Sequence, residues 1–144
     1  MAGPYIDTSA LAKWYLNEAY SEAVEAFLRQ QQEALISRLT VLEFHCLLGR
    51  RRRAAEIDAG IQRRVLATFE ADLRAGFLSV HPLEDAHVLR AVDLVSRLRS
   101  HPLRSLDALH LAVTLDLGCP AIATADRILA DAAAALGLEV ARFY

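Results

Sequence analysis

Apolar positions recur near helical spacing in seven stretches, residues 9–17, 21–32, 39–53, 56–74, 84–99, 105–117 and 127–136, and each stretch predicts a helix. Between them lie five apolar runs too short to be helices: Pro4–Ile6, Ala34–Ile36, Phe77–Val80, Ala121–Ala123 and Leu138–Val140. Three of these runs come just after a glycine, Gly76, Gly118 or Gly137, where a helix would end and a strand begin. The other two lead directly into helical sequence. Parallel neighbours need crossover connections, so strands alternating with helices predict an α/β fold, a parallel or mostly parallel sheet covered on both faces.

Composition narrows the class. At 144 residues, with 54% hydrophobic and 24% charged side chains, the chain is expected to form a single domain, 1–144, around one core. The N-terminus lacks the basic and apolar blocks of a secretory signal, and no apolar run approaches the ~18 residues needed to span a bilayer, which predicts a cytoplasmic protein with no membrane partner. Cys46 and Cys119 each lie among apolar neighbours and are expected to be buried thiols without a catalytic role. The net charge of −2 argues against a nucleic-acid partner until four acids discussed below are set aside as metal ligands. The remainder is 14 acidic against 16 basic residues, 15 of the latter arginine, so charge neither supports nor excludes RNA.

Open α/β sheets bind ligands beyond the carboxyl ends of their strands, and Asp7 and Asp126 both follow predicted strands. The chain has no Gly-x-Gly-x-x-Gly and no Gly-Lys-Ser/Thr phosphate loop. Each acid has a local structural alternative. Asp7 and Asp126 suit helix N-caps, and Asp107 suits a first turn capped by Ser105. Thr40-x-x-Glu43 fits a capping box, although the apolar flanks of Glu43 predict a largely buried helix in which its charge needs a partner or a cation. The local alternatives do not require all four acids to fall near one edge of a sheet. Carboxylates so gathered are hard oxygen ligands suited to Mg2+ or Mn2+, and Ser9 is placed to orient Asp7. His110, one turn beyond Asp107, is read as a packed or surface histidine and left outside the site.

Four stretches together resemble the PIN-domain family, and especially its VapC-type toxins. They are Tyr5-Ile6-Asp7-Thr8-Ser9-Ala10-Leu11, Thr40-x-x-Glu43, Leu106-Asp107-Ala108-Leu109-His110-Leu111-Ala112, and Thr124-Ala125-Asp126 with the Ala-Leu-Gly-Leu-Glu-Val ending. The resemblance implies a three-layer α/β/α sandwich with a five-stranded sheet. It implies an acidic pocket of Asp7, Glu43, Asp107 and Asp126 supported by Ser9 and Thr124. It further implies RNA cleavage dependent on one or two Mg2+ or Mn2+ ions, homodimers, and inhibition by a cognate antitoxin protein. Many relatives carry another acid two residues after the fourth. Here that position is Ile128, and Asp131, the nearest downstream acid, is expected to face solvent.

In the expected mechanism Asp7, Asp107 and Asp126 hold the metal, while Glu43 holds a second ion or deprotonates the attacking water. The rival readings are a non-catalytic interaction module and a DNA nuclease or phosphatase using the same chemistry. Lys13, Arg50, Arg51 and Arg104 are candidates for contact with RNA or antitoxin, and Leu11, Trp14, Tyr15 and Phe27 for an antitoxin groove.

Overall fold

A computed structural model describes residues 2–144. Its elements run β1 (Tyr5–Ile6), α1 (Thr8–Tyr15), α2 (Ser21–Arg29), β2 (Ala34–Ser37), α3 (Arg38–Arg53), α4 (Ala59–Ala75), β3 (Leu78–His81), α5 (Asp85–Arg97), α6 (Ser105–Asp116), β4 (Ala121–Thr124), α7 (Arg127–Ala135) and β5 (Glu139–Arg142). The five strands pair in the order β3-β2-β1-β4-β5, and every pairing is parallel. Gly76 and Gly118, with φ of 84° and 66°, take the left-handed conformation that closes α4 and follows α6.

Side-chain alternation along the strands separates two cores. Ile6, Ile36, Leu78 and Ala123 point to one face, where they meet Leu11, Leu28, Phe44, Leu48 and Phe69 from α1 to α4. Tyr5, Leu35 and Ile122 point to the other, against Leu94, Leu111, Leu129 and Ala132 from α5, α6 and α7. The result is the α/β/α sandwich. Among the described residues, no helix is long and apolar enough to cross a membrane.

Two expectations about burial need correction. The Glu43 helix buries one stripe, with Thr40, Phe44 and Leu48 turned inward at i, i+4 spacing. Leu42 remains 63% exposed, and Cys46 is exposed rather than buried. The apolar flanks of Glu43 instead form part of a pocket wall, so a continuous apolar run here does not mean burial on all sides. Cys119 is buried as expected, and desolvation pushes its thiol pKa up to about 11.

Candidate active site

From β1 the chain builds β2 and β3 on one side, then returns to place β4 and β5 on the other. This reversal opens a crevice beyond the carboxyl ends of β1 and β4, the usual ligand position in such sheets. Asp7 follows β1 directly and Asp126 lies two residues beyond β4, on neighbouring strands. Both also cap helices. Asp7 Oδ1 accepts from the Ala10 amide at 3.0 Å, and Asp126 Oδ1 from the Ile128 and Leu129 amides at 2.9 and 3.1 Å. Capping and participation in a site are therefore compatible, because the second oxygen of each carboxylate is engaged elsewhere.

Asp7 Oδ2 accepts from Thr124 Oγ1 at 2.6 Å and from Ser9 Oγ at 3.0 Å. The same hydroxyls tie the loop after β4 to the loop after β1, with Ser9 Oγ accepting from the Ala125 amide and Thr124 Oγ1 from the Asp126 amide, both at 2.9 Å. Burial raises the pKa of Asp7, against the charge His110 carries when protonated and the hydrogen bonds from Thr124, Ala10 and Ser9.

The first turn of α6 carries Asp107. Its N-cap is Arg104, not Ser105 as the sequence suggested, and Asp107 reaches back to the Arg104 amide at 3.3 Å. That carboxylate meets the unpaired amide before the helix, so no hydroxyl is needed at the cap. Arg104 Nε lies 3.6 Å from Asp107 Oδ2, and its Nη2 lies 3.5 Å from Asp126 Oδ2, so one guanidinium bridges two acids. The pKa of Asp107 is raised by burial and by the like charge of Asp126, which outweigh Arg104.

Glu43 does not cap its helix. Thr40 Oγ1 and Ser37 form the capping box of α3, with the Ser37 amide donating to Thr40 Oγ1 at 3.3 Å. Glu43 Oε1 instead accepts from Thr8 Oγ1 at 2.8 Å and is 2.5 Å from His110 Nε2. Burial opposes its charge, but the His110 hydrogen bond, the charge His110 carries when protonated, Thr8 and Arg50 hold its pKa below the usual value.

All four acids line one pocket of about 450 Å³, together with Ser9, His110, Arg50 and Arg104; Leu39, Leu42, Leu47 and Leu106 supply its apolar wall. Lys13 and Arg51 lie outside this lining, both paired with Glu18, at 3.5 and 2.9 Å. Asp131 is also outside it, on an exposed ion pair with Arg142 at 2.9 Å. The carboxylate oxygens are the hard donors a divalent ion prefers, and the mutual repulsion of Asp107 and Asp126 is the electrostatic situation a cation relieves. Arg104 does so in this conformation. Among the described residues, no three His, Cys, Asp or Glu side chains are gathered as a ready-made ligand set; a magnesium site needs only one or two carboxylates, with water or substrate phosphate completing the shell.

The PIN-domain family profile matches residues 5–135. The chain belongs to the PIN-domain family. Within the family it is similar to a Mycobacterium tuberculosis protein named Ribonuclease VapC46, with 31% identity over 143 residues covering 97% of each chain. Two solved structures share the fold. The crystal structure of M. tuberculosis VapC20, described as a sarcin–ricin loop cleaving toxin, gives a TM-score of 0.71 at 20% identity, covering 92% of this chain and 95% of that one. DNA-bound VapBC from Salmonella typhimurium gives 0.69 at 18% identity, with full coverage of both chains.

Within this PIN fold, three polar residues beside the acids were missed or set aside: Tyr5, Thr8 and His110. His110 is only 3% exposed, the packed alternative of the two expected, and it also lines the pocket. The usable signal was its spacing, since i, i+3 on a helix puts it on the same face as Asp107. The proposed antitoxin groove also changes. Leu11 is fully buried and cannot line it, because α1 turns that side chain into the sheet core. Trp14 and Phe77 do border a second concavity, while Tyr15 and Phe27 are half-buried, with Tyr15 bonded to Asp72 at 2.5 Å.

Proposed function

We propose that this chain is a divalent-metal-dependent endoribonuclease acting as the toxin of a type II toxin–antitoxin pair. The observation that carries the reading is the pocket itself, in which four carboxylates from separate segments meet two arginines at the crevice between β1 and β4. Similarity to a named VapC ribonuclease over nearly the whole chain favours RNA over DNA or a phosphomonoester, and a fold shared with a VapBC structure favours an antitoxin partner.

Asp7, Asp107 and Asp126 would hold Mg2+ or Mn2+, with Glu43 beside them. When bound, the ion neutralises phosphate charge and lowers the pKa of water. Ser9 and Thr124 keep the Asp7 carboxylate oriented toward its neighbours. Glu43 serves as the general base, placing the attacking water and accepting its proton as the water oxygen bonds to phosphorus and the P–O bond to the leaving ribose oxygen breaks, that oxygen taking a proton from solvent. Arg104 exchanges its carboxylates for a substrate phosphate, and Arg50 offers a second cationic contact at the pocket. No covalent enzyme intermediate is required.

The antitoxin would lie along the concavity bordered by Trp14, Leu28 and Phe77. A homodimer is supported by the exposed apolar strip of Val88, Val92 and Val95 on α5, which has no partner within the described chain. The protein would work in the cytoplasm. The reading is tested by giving the purified chain, with Mg2+ or Mn2+, a labelled single-stranded RNA, the matching DNA and a phosphomonoester. Internal cleavage of RNA alone is expected. Cleavage of DNA or the monoester at equal rates would support the rival phosphoesterase, and no cleavage of any would support the interaction module.

A further inference from the structure

A chain of hydrogen bonds runs from the buried sheet into the pocket and ends on one oxygen of Glu43. Tyr5 Oη lies 2.7 Å from His110 Nδ1, and His110 Nε2 lies 2.5 Å from Glu43 Oε1. Tyr5 Oη is also 2.8 Å from Ser37 Oγ and 3.2 Å from Thr40 Oγ1. Four segments contribute, β1, the end of β2, α3 and α6. Tyr5 is fully buried and its ring meets the imidazole edge-on at 5.6 Å.

The donor and acceptor inventory gives this chain a direction. An ionised carboxylate only accepts, so Nε2 must carry the proton that faces Glu43. In the neutral ring Nδ1 is then an acceptor, which makes the Tyr5 hydroxyl its donor. The Tyr5 oxygen in turn has lone pairs for the Ser37 and Thr40 hydroxyls. With the ring neutral, each proton in the chain has a place and each hydroxyl can satisfy the next.

The geometry also divides the labour of the carboxylate. Oε1 takes both clamping bonds, from Thr8 and His110, whereas among the described residues Oε2 has no hydrogen-bond partner. A glutamate has three side-chain torsions to restrain, and a half-buried one at a pocket wall sweeps a wide arc unless something holds it. Two donors on one oxygen remove that freedom and leave the other oxygen available.

We infer that His110 is a positioning residue for the proposed cleavage, holding Glu43 by Oε1 so that Oε2 meets the attacking water, with Tyr5 fixing the imidazole tautomer. The inference rests on the ribonuclease reading and deepens it. Outer partners that orient a functional side chain typically matter by about 10–100-fold. His110→Ala therefore lowers kcat by about that factor, with KM changed by less than about threefold. His110→Gln places an amide donor near the position of Nε2 and recovers most of kcat, whereas the shorter His110→Asn does not. Tyr5→Phe keeps the ring and removes the hydroxyl, giving a smaller loss of kcat in the same direction.

The experiment combines two measurements on the full chain. Steady-state cleavage of a labelled single-stranded RNA in Mn2+ is measured for each variant, with thermal unfolding to fix the folded fraction. In parallel, 15N-detected imidazole NMR of the metal-free protein, assigned by the signal missing in His110→Gln, reads the tautomer. An Nε2–H ring in the wild type that loses its tautomer preference in Tyr5→Phe, with rescue of kcat by Gln but not Asn, is the expected result. An Nδ1–H ring, or equal kcat per folded molecule in the wild type, His110→Ala and Tyr5→Phe, would overturn the positioning role while leaving the ribonuclease reading intact. Equal losses in His110→Gln and His110→Ala would reduce His110 to a packing residue. Absence of RNA cleavage by the wild type would overturn the ribonuclease reading and this role with it.

Discussion

Replacing Asp107 with asparagine is expected to lower RNA cleavage by about a hundred- to a thousandfold, the scale of losing one preorganised electrostatic partner of a transition state. The isosteric amide preserves the first turn of α6 but removes a charge from the pocket shared with Asp126 and Arg104. The same variant should be more stable than the wild type at neutral pH when both are metal-free. Burial and Asp126 raise the Asp107 pKa above its unfolded value. Between the unfolded and folded values the native state binds more protons than the unfolded chain, so stability falls as pH rises through that window. Asparagine abolishes this dependence at one site. Asp7, whose pKa burial also raises, keeps part of the trend in both proteins, and the difference between the two stability curves isolates Asp107. Urea unfolding in EDTA across that pH range, paired with cleavage rates in Mn2+, checks both halves. An active variant would remove Asp107 from the mechanism. A variant less stable than the wild type at neutral pH would mean that its bonds to Arg104 outweigh the burial of its charge.

Phe44→Ala is expected to destabilise the fold by about 3–5 kcal/mol, the usual cost of emptying a fully buried aromatic site. Phe44 has no exposed surface, and its ring lies 4.9 Å from Phe69 and 5.5 Å from Tyr15. It is the central anchor of the α3 stripe, one residue from Glu43, so its loss removes the contact that holds α3 and α4 against α1. Leu42→Ala on the same helix, at a position 63% exposed, should change stability by no more than about 0.5 kcal/mol. Urea midpoints for the two variants measure the contrast. Similar midpoints would show that α3 is not held by its inward stripe.

The alternation of strands and helices was legible because each element carries its own period and the glycines mark helix ends. Among the described residues, the five strands and seven helices lie within a few residues of the positions read from the sequence, and the strand pairing is wholly parallel. Boundaries slipped where a side chain chose the cap. The Asp58 carboxylate accepts from the Ile61 amide and starts α4 at Ala59, later than the apolar spacing suggested. Arg104 rather than Ser105 caps α6 because Asp107 already serves the amide at that end. Asp7, Asp107 and Asp126 were legible through their places at strand ends and helix starts, and Glu43 as a charge inside an apolar helix; all four line one pocket. The support around them was not. Tyr5, Glu43 and His110 are far apart in sequence, and no local pattern announces that a tyrosine in an apolar strand and a histidine in an apolar helix share a hydrogen bond. Leu11 and Cys46 show the complementary failure, since periodicity says that a helix has an apolar face but not where that face stops.

If the four carboxylates work through a divalent ion, RNA cleavage by the wild-type chain stripped with EDTA and then titrated with Mn2+ or Mg2+ must follow the ion. No cleavage is expected in EDTA and full recovery on adding either ion, with the Asp107→Asn variant failing to recover at matched concentrations. Cleavage that persists unchanged in EDTA would contradict this role of the ion.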